Sequence, residues 1–241
     1  MKFKKIVGFG DSWVWGDELI DPALPQDPDA HSVMIENTCY RESRCFLGLT
    51  GQHYGLPVEN FGIPGGSMQS SIWTYLWWLE HEQLDPRECL ILVGLTASAR
   101  TTFYNPTHVS YSNDPPWNRF VHDAWIRSGA MSDRRDWVNL VKLYNVLTDC
   151  SKSRALNRRQ TVTFFEGQYY KFGGNVLQFN TLAPDTVMTA EGLVWENSAL
   201  ENFVKNRPDL LAPNRHPNEH GHEFIRDLLI TEIDRVILAE C

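Results

Sequence analysis

Ile6-Val7-Gly8-Phe9-Gly10-Asp11-Ser12 is the stretch on which the reading of this chain turns. Its first four residues form a short β-branched and apolar run, as in a buried strand, and Gly10-Asp11-Ser12 breaks that run off sharply. A strand over residues 3–9 leaves Ser12 at its C-terminal end, where open α/β sheets collect their ligands. Serine is a weak nucleophile at neutral pH, so the reading requires a base for its proton and donors for an oxyanion. Taken alone, Gly-Asp-Ser is also an ordinary turn. A carboxylate such as Asp11 in that turn bonds neighbouring N–H groups and holds its shape.

Two later blocks offer the missing groups. Asn60-Phe61-Gly62-Ile63-Pro64-Gly65-Gly66-Ser67 joins an expected strand at 57–61 to an expected helix at 68–83, and its glycines let backbone N–H groups approach a ligand. His216-Pro217-Asn218-Glu219-His220-Gly221-His222 opens the last helix. Read in order as Gly-Asp-Ser, Asn-x-Gly-x-x-Gly and His-Pro-Asn, the chain resembles the SGNH/GDSL hydrolases, a family of esterases, lipases, acetylhydrolases and related acyl transferases. The resemblance runs through nearly the whole chain. It implies a flavodoxin-like three-layer α/β/α sandwich around a mostly parallel sheet of about five strands. It also implies Ser12 as nucleophile, His216 as base, and an oxyanion hole built from the Ser12 and Gly65 N–H groups.

Two positions depart from the family pattern. The block that normally ends a strand in Gly-x-Asn reads Gly94-Leu95-Thr96 here, so Thr96 stands where the family has a carboxamide donor. A threonine hydroxyl can also donate one hydrogen bond, although it is shorter and can rotate away. The family's triad aspartate normally lies three residues before the histidine, and that position is Pro213. Asn214 and the upstream carboxylate Asp209 are then the candidates to orient His216. Asp11, Trp13 and Trp15 flank the serine and are candidates to line the substrate pocket.

The remaining pattern is alternating strand and helix, which implies parallel pairing with helices on both faces. Expected elements are a helix at 40–54, a strand at 88–94, a helix at 137–156, a strand at 161–165 and a closing helix at 218–239, with 166–215 mixed. Loop insertions at 17–38 and 101–136 interrupt what reads as one domain over residues 1–241. The second insertion carries Phe103, Tyr104, Tyr111, Trp117, Phe120 and Trp125, which serve either as a wall for substrate or as the loop's own anchors. Trp77 and Trp78 read as packing residues of the 68–83 helix.

Composition narrows the function classes. The 241 residues suffice for a sizeable core, 42% are apolar, and the net charge of −8 disfavours nucleic acid or an anionic membrane as partner. The basic start Met1-Lys2-Phe3-Lys4-Lys5 precedes an apolar run too short for a signal peptide, and no run is long enough to span a bilayer. Five cysteines without a C-x-x-C pair read as reduced thiols, Cys89 in the core, and a cytoplasmic setting is expected. His216, His220 and His222 lack the helical register and the accompanying ligands of a metal site, so neither a metal nor any other cofactor is expected. The expectation is therefore a serine esterase that cleaves short acyl or O-acetyl groups from a small molecule or glycan through an acyl-enzyme. The competing class is a weak or inactive binding or structural protein on the same fold, for instance a virion component, since Pro213 and Thr96 are the changes such a protein would carry.

Overall fold

The computed structural model describes residues 2–24, 35–98, 100, 102–104, 120–122, 151–182, 188–196 and 198–238. Strand β1 is Lys5–Gly10, β2 Val58–Gly62, β3 Cys89–Leu95, β4 Thr102–Tyr104, β5 Phe120–His122, β6 Val176–Asn180 and β7 Leu193–Val194. Helix α1 is Ser12–Trp15, α2 Ile35–Arg44, α3 Phe46–Tyr54, α4 Met68–His81, α5 Ser151–Lys171, α6 Leu200–Val204 and α7 Glu219–Ile233. The main sheet has the order β2-β1-β3-β6-β7 with every pair parallel, and β4 and β5 form a separate antiparallel pair. Omitting that pair, the order is the flavodoxin-like one, in which the chain reverses its winding between β1 and β3. Ser12 follows β1 at that reversal.

Helices cover both faces of the sheet because successive side chains of a strand point to opposite sides. Phe9 faces α4, where its ring meets Tyr75 and Trp78 at 5.4 and 5.9 Å. Its neighbour Gly8 faces α3, and any Cβ there would lie 2.1 Å from the Leu47 side chain. On that side Phe46 packs against Phe179 of β6 and His222 of α7. All seven residues of β3 are buried, as expected of a central parallel strand covered on both sides. Trp78 is 2% exposed and Trp77 packs against the core's edge. Cys45 and Cys89 are buried and Cys39 is exposed, each a free thiol.

Several expected elements take a different form. The 40–54 helix is two helices, because the chain turns extended at Cys45 (ψ 156°) between α2 and α3. The run Thr161-Val162-Thr163-Phe164-Phe165 is not a strand; it lies inside α5. Its β-branched and aromatic residues favour a strand locally, but Arg158, Thr161, Val162, Phe165 and Tyr169 are buried at helical spacing on one face. The fourth parallel strand is instead β6, beyond that helix, pairing Val176 with Ile91 of β3. The closing helix ends at Ile233 and passes into a wider π-helical turn over Asp234–Leu238. Residues 137–150 of the expected 137–156 helix lie outside the described residues, as does most of the 101–136 insertion. Among the described residues no helix is long and apolar enough to cross a membrane.

Candidate active site

Three glycines stand at one level near the ends of the adjacent strands β2, β1 and β3. Gly10 pairs with Gly62 across β1 and β2, and a Cβ on Gly10 would lie 3.0 Å from the Gly94 carbonyl of β3. The missing side chains make room for α1 to sit directly on the strand ends. A Cβ on Gly62 would come within 2.4 Å of the Trp15 N, and one on Gly94 within 2.5 Å of the Val14 side chain. Asn60 secures the helix from below, donating from Nδ2 to the Val14 carbonyl at 2.8 Å while its Oδ1 accepts from the Gly62 N–H at 2.9 Å.

Asp11 caps α1 through Oδ1, which accepts from the Trp13 N–H at 3.1 Å. Its other oxygen accepts from Thr181 Oγ1 at 2.9 Å and lies 3.5 Å from Arg100 Nη1. Asp11 is thus wholly buried and serves to shape the turn, and the expectation that it lines a pocket is corrected. Trp15 is half-buried and is not among the described walls of the cavity that Trp13 lines. Its ring turns beneath the buried Arg41 guanidinium, 3.4 Å from the ring centroid. Trp13, with His216, lines a cavity of about 550 Å3 whose described walls also include Arg100, Leu182, Glu201, Lys205, Asn214 and Arg215.

His216 reaches Ser12 across 204 positions of sequence, with Nε2 2.9 Å from Oγ. The loop before α7 is pinned on both sides of the ring. The Ala212 N–H donates to the His216 carbonyl at 2.8 Å, Leu211 bridges Pro217, and Asn218 caps α7 by accepting from the Gly221 N–H at 3.0 Å. The ring's other nitrogen does not meet Asn214 or Asp209. Asp209 is drawn to Arg207 on the surface, and Asn214 contributes only its backbone N–H. Nδ1 instead lies 3.0 Å from Glu18 Oε2, which also accepts the His216 N–H at 3.2 Å, while Oε1 accepts the Asn214 N–H at 3.0 Å.

Glu18 comes from the loop directly after α1. Gly16 ends α1 in the left-handed conformation (φ 83°), and Glu18 itself adopts φ 65°, a rare state for a residue with a Cβ. Together they fold the chain back so that the Glu18 side chain, 4% exposed, lies against His216. Burial opposes the charge on Glu18, but the hydrogen bonds from His216 and the two N–H groups outweigh it and hold the carboxyl below its usual range. Burial likewise disfavours a charged His216, yet the Glu18 hydrogen bond and the charges of Asp17, Glu18 and Asp11 raise its pKa above the ordinary 6.5. Glu18 lies 198 positions from His216, far from the neighbouring positions where the family pattern places the orienting carboxylate. The available signal was the Asp17-Glu18 pair just after a glycine that can reverse the chain.

Thr96 follows the end of β3 and is 3% exposed, and its Oγ1 is buried without a hydrogen-bond partner among the described residues. Gly65 takes φ 72° in the turn between β2 and α4, and the Gly66 N–H is tied to the Ile63 carbonyl at 2.8 Å. His220 is exposed beside Glu223. His222 is fully buried, accepts the Phe46 N–H on Nδ1 at 3.1 Å, and is pushed by burial down to about 3.

No family model and no curated protein matches this chain. Solved structures do. A member of the lipolytic protein G-D-S-L family from Veillonella parvula is 15% identical, with 97% of this chain and 98% of that one covered and a TM-score of 0.38. A family two carbohydrate esterase from Clostridium thermocellum, in complex with cellohexaose, is 13% identical with a TM-score of 0.38, covering 96% of this chain and 64% of that one. A carbohydrate esterase whose active site displays divergent catalytic and non-catalytic binding functions is 15% identical over 97% of this chain and 65% of that one, with a TM-score of 0.37. The chain is similar to each of these structures only at this low identity and TM-score. It spans about two thirds of the length of both carbohydrate esterases.

Proposed function

We propose that this protein is a serine hydrolase of carboxylic esters, acting as one SGNH-like domain with insertions at 17–38 and 101–136. The observation that carries the reading is the hydrogen-bonded series Ser12 Oγ, His216 Nε2, His216 Nδ1 and Glu18 Oε2, with contacts of 2.9 and 3.0 Å. Nucleophile, base and orienter stand in the order that acyl transfer requires, with Glu18 as the carboxylate that the motif spacing left unassigned.

Ser12 Oγ attacks the ester carbonyl carbon while His216 Nε2 takes its proton. Glu18 holds the Nδ1–H tautomer and stabilises the imidazolium that forms. The carbonyl oxygen, now an oxyanion, is met by the Ser12 and Gly65 N–H groups and the Thr96 hydroxyl. A buried hydroxyl without a partner costs about 1–3 kcal/mol in the resting protein, and a donor that gains its partner only in the tetrahedral state favours that state. The bond to the alcohol oxygen then breaks and the His216 proton passes to that oxygen. Water repeats the sequence on the acyl-enzyme, giving the carboxylic acid and restoring Ser12. The acyl group is short, O-acetyl being the first choice, and the alcohol occupies the cavity beside Trp13 and His216.

Labelling with a fluorophosphonate probe tests the reading without knowledge of the substrate. The protein is expected to take up the probe and hydrolyse p-nitrophenyl acetate, and Ser12→Ala to lose both while keeping its near-UV circular dichroism. A folded Ser12→Ala protein with unchanged hydrolysis overturns the assignment, and a parent chain that neither labels nor hydrolyses favours the non-catalytic binding class.

A further inference from the structure

A second carboxylate borders the same imidazole. Asp17 Oδ2 lies 3.8 Å from His216 Nε2, on the side of the ring that meets Ser12, whereas Glu18 meets Nδ1. Asp17 Oδ1 accepts from the Glu18 N–H at 3.2 Å, which turns Oδ2 toward the histidine. The side chain is 22% exposed, in contrast to the wholly buried Asp11. In the triad as described above Asp17 has no task.

Its position relative to the departing alcohol gives it one. Whatever alcohol leaves must bring its oxygen within about 3 Å of His216 Nε2 to receive the proton. That oxygen therefore shares the Nε2 edge of the ring with Asp17 Oδ2, yet an ester or ether oxygen has no proton to offer a carboxylate. A hydroxyl on the adjacent carbon does. In the gauche arrangement of a 1,2-diol the two oxygens stand about 3 Å apart, so one can take the His216 proton while its neighbour donates to Asp17. An alcohol without that hydroxyl leaves a carboxylate facing apolar substrate and partly stripped of water, which is unfavourable.

We propose that Asp17 is a specificity-determining residue that selects esters of vicinal diols, accepting a hydrogen bond from the free hydroxyl beside the ester oxygen. The proposal rests on the hydrolase reading and narrows its substrate class to partially acylated polyols. Trp13 is a wall of the adjoining cavity.

The test compares 2-hydroxyethyl acetate with 2-methoxyethyl acetate, which keeps the second oxygen and loses only its proton. Acetate release is followed at a pH above the His216 transition. A hydrogen bond to a charged acceptor predicts about ten- to hundredfold higher kcat/KM for the hydroxy ester. Asp17→Ala is expected to bring that ratio close to one, and Asp17→Asn, which keeps an uncharged acceptor, to restore part of it. If Asp17 acted only through the charge of His216, its removal would change both rates by the same factor and leave the ratio intact, which overturns the proposal. Equal rates on the two esters in the parent protein overturn it as well, while the hydrolase reading stands. Failure to cleave either ester, together with absent fluorophosphonate labelling, overturns the hydrolase reading and this proposal with it. A monoacetylated methyl xylopyranoside and glycerol monoacetate separate ring-borne from open-chain diols. A preference for the former assigns the cavity to a sugar, and a preference for the latter assigns it to glycerol-like chains.

Discussion

Removing the charge of Glu18 tests the most specific claim about the site. In Glu18→Gln the amide must choose how to face three donors: the His216 N–H and Nδ1–H at Oε2, and the Asn214 N–H at Oε1. Placing the amide oxygen at the Oε2 position keeps two of the three bonds and turns its NH2 toward the Asn214 N–H. The productive tautomer of His216 is then retained, but a charge-assisted bond to the nascent imidazolium becomes a neutral one. That difference is about 1–2 kcal/mol, or roughly five- to thirtyfold in kcat. Glu18→Ala loses control of the tautomer too and should fall by about 10³–10⁴. The charge also sets the pH profile. Glu18 and Asp17 raise the His216 pKa against the effect of burial, so the parent's kcat/KM should rise with pH through a transition above 6.5. In Glu18→Gln that transition moves to lower pH, because one of the charges stabilising the protonated ring is gone. Initial rates on p-nitrophenyl acetate between pH 5 and 9, with near-UV circular dichroism as the fold control, give both quantities. A folded Glu18→Ala protein with parental turnover and an unmoved transition would refute the role assigned to Glu18.

Thr96→Val preserves shape and removes the unpaired hydroxyl, so turnover should fall about tenfold or more while urea stability holds or rises slightly; equal turnover would leave the oxyanion to the two N–H groups. Gly62→Ala forces a Cβ to within 2.4 Å of the Trp15 N, a backbone atom that can yield only if α1 shifts, and should cost about 1–3 kcal/mol in urea unfolding and most of the activity. His222, held neutral at about 3 in the fold against an ordinary 6.5, contributes stability that is complete above pH 6.5 and is lost as pH falls toward 3. Between pH 7 and 4.5 that loss is roughly 2–3 kcal/mol, and His222→Gln should show a correspondingly flatter pH dependence of its urea midpoint.

Much of the architecture follows from local pattern. The apolar runs of β1 and β3, broken by Gly10-Asp11-Ser12 and by Gly94, mark strands that end abruptly, and their order with the intervening helices dictates parallel pairing. The candidates Ser12, Gly65, Thr96 and His216 come from four short blocks, each a contiguous run with its own turn chemistry. Where the reading failed, neighbours distant in sequence decide the outcome. Thr161–Phe165 has strand propensity, but the face that α5 must bury selects the helix. Asp11 and Trp15 adjoin the serine in sequence yet point into the protein, toward Thr181 and Arg41. The pairing of Glu18 with His216 depends on two left-handed residues in one loop and on the pinned loop before α7, 198 positions away. Spacing along the chain carries no information about such a contact. A carboxylate's partner is set by which surfaces the sheet brings together, and that is decided only when the chain closes on itself.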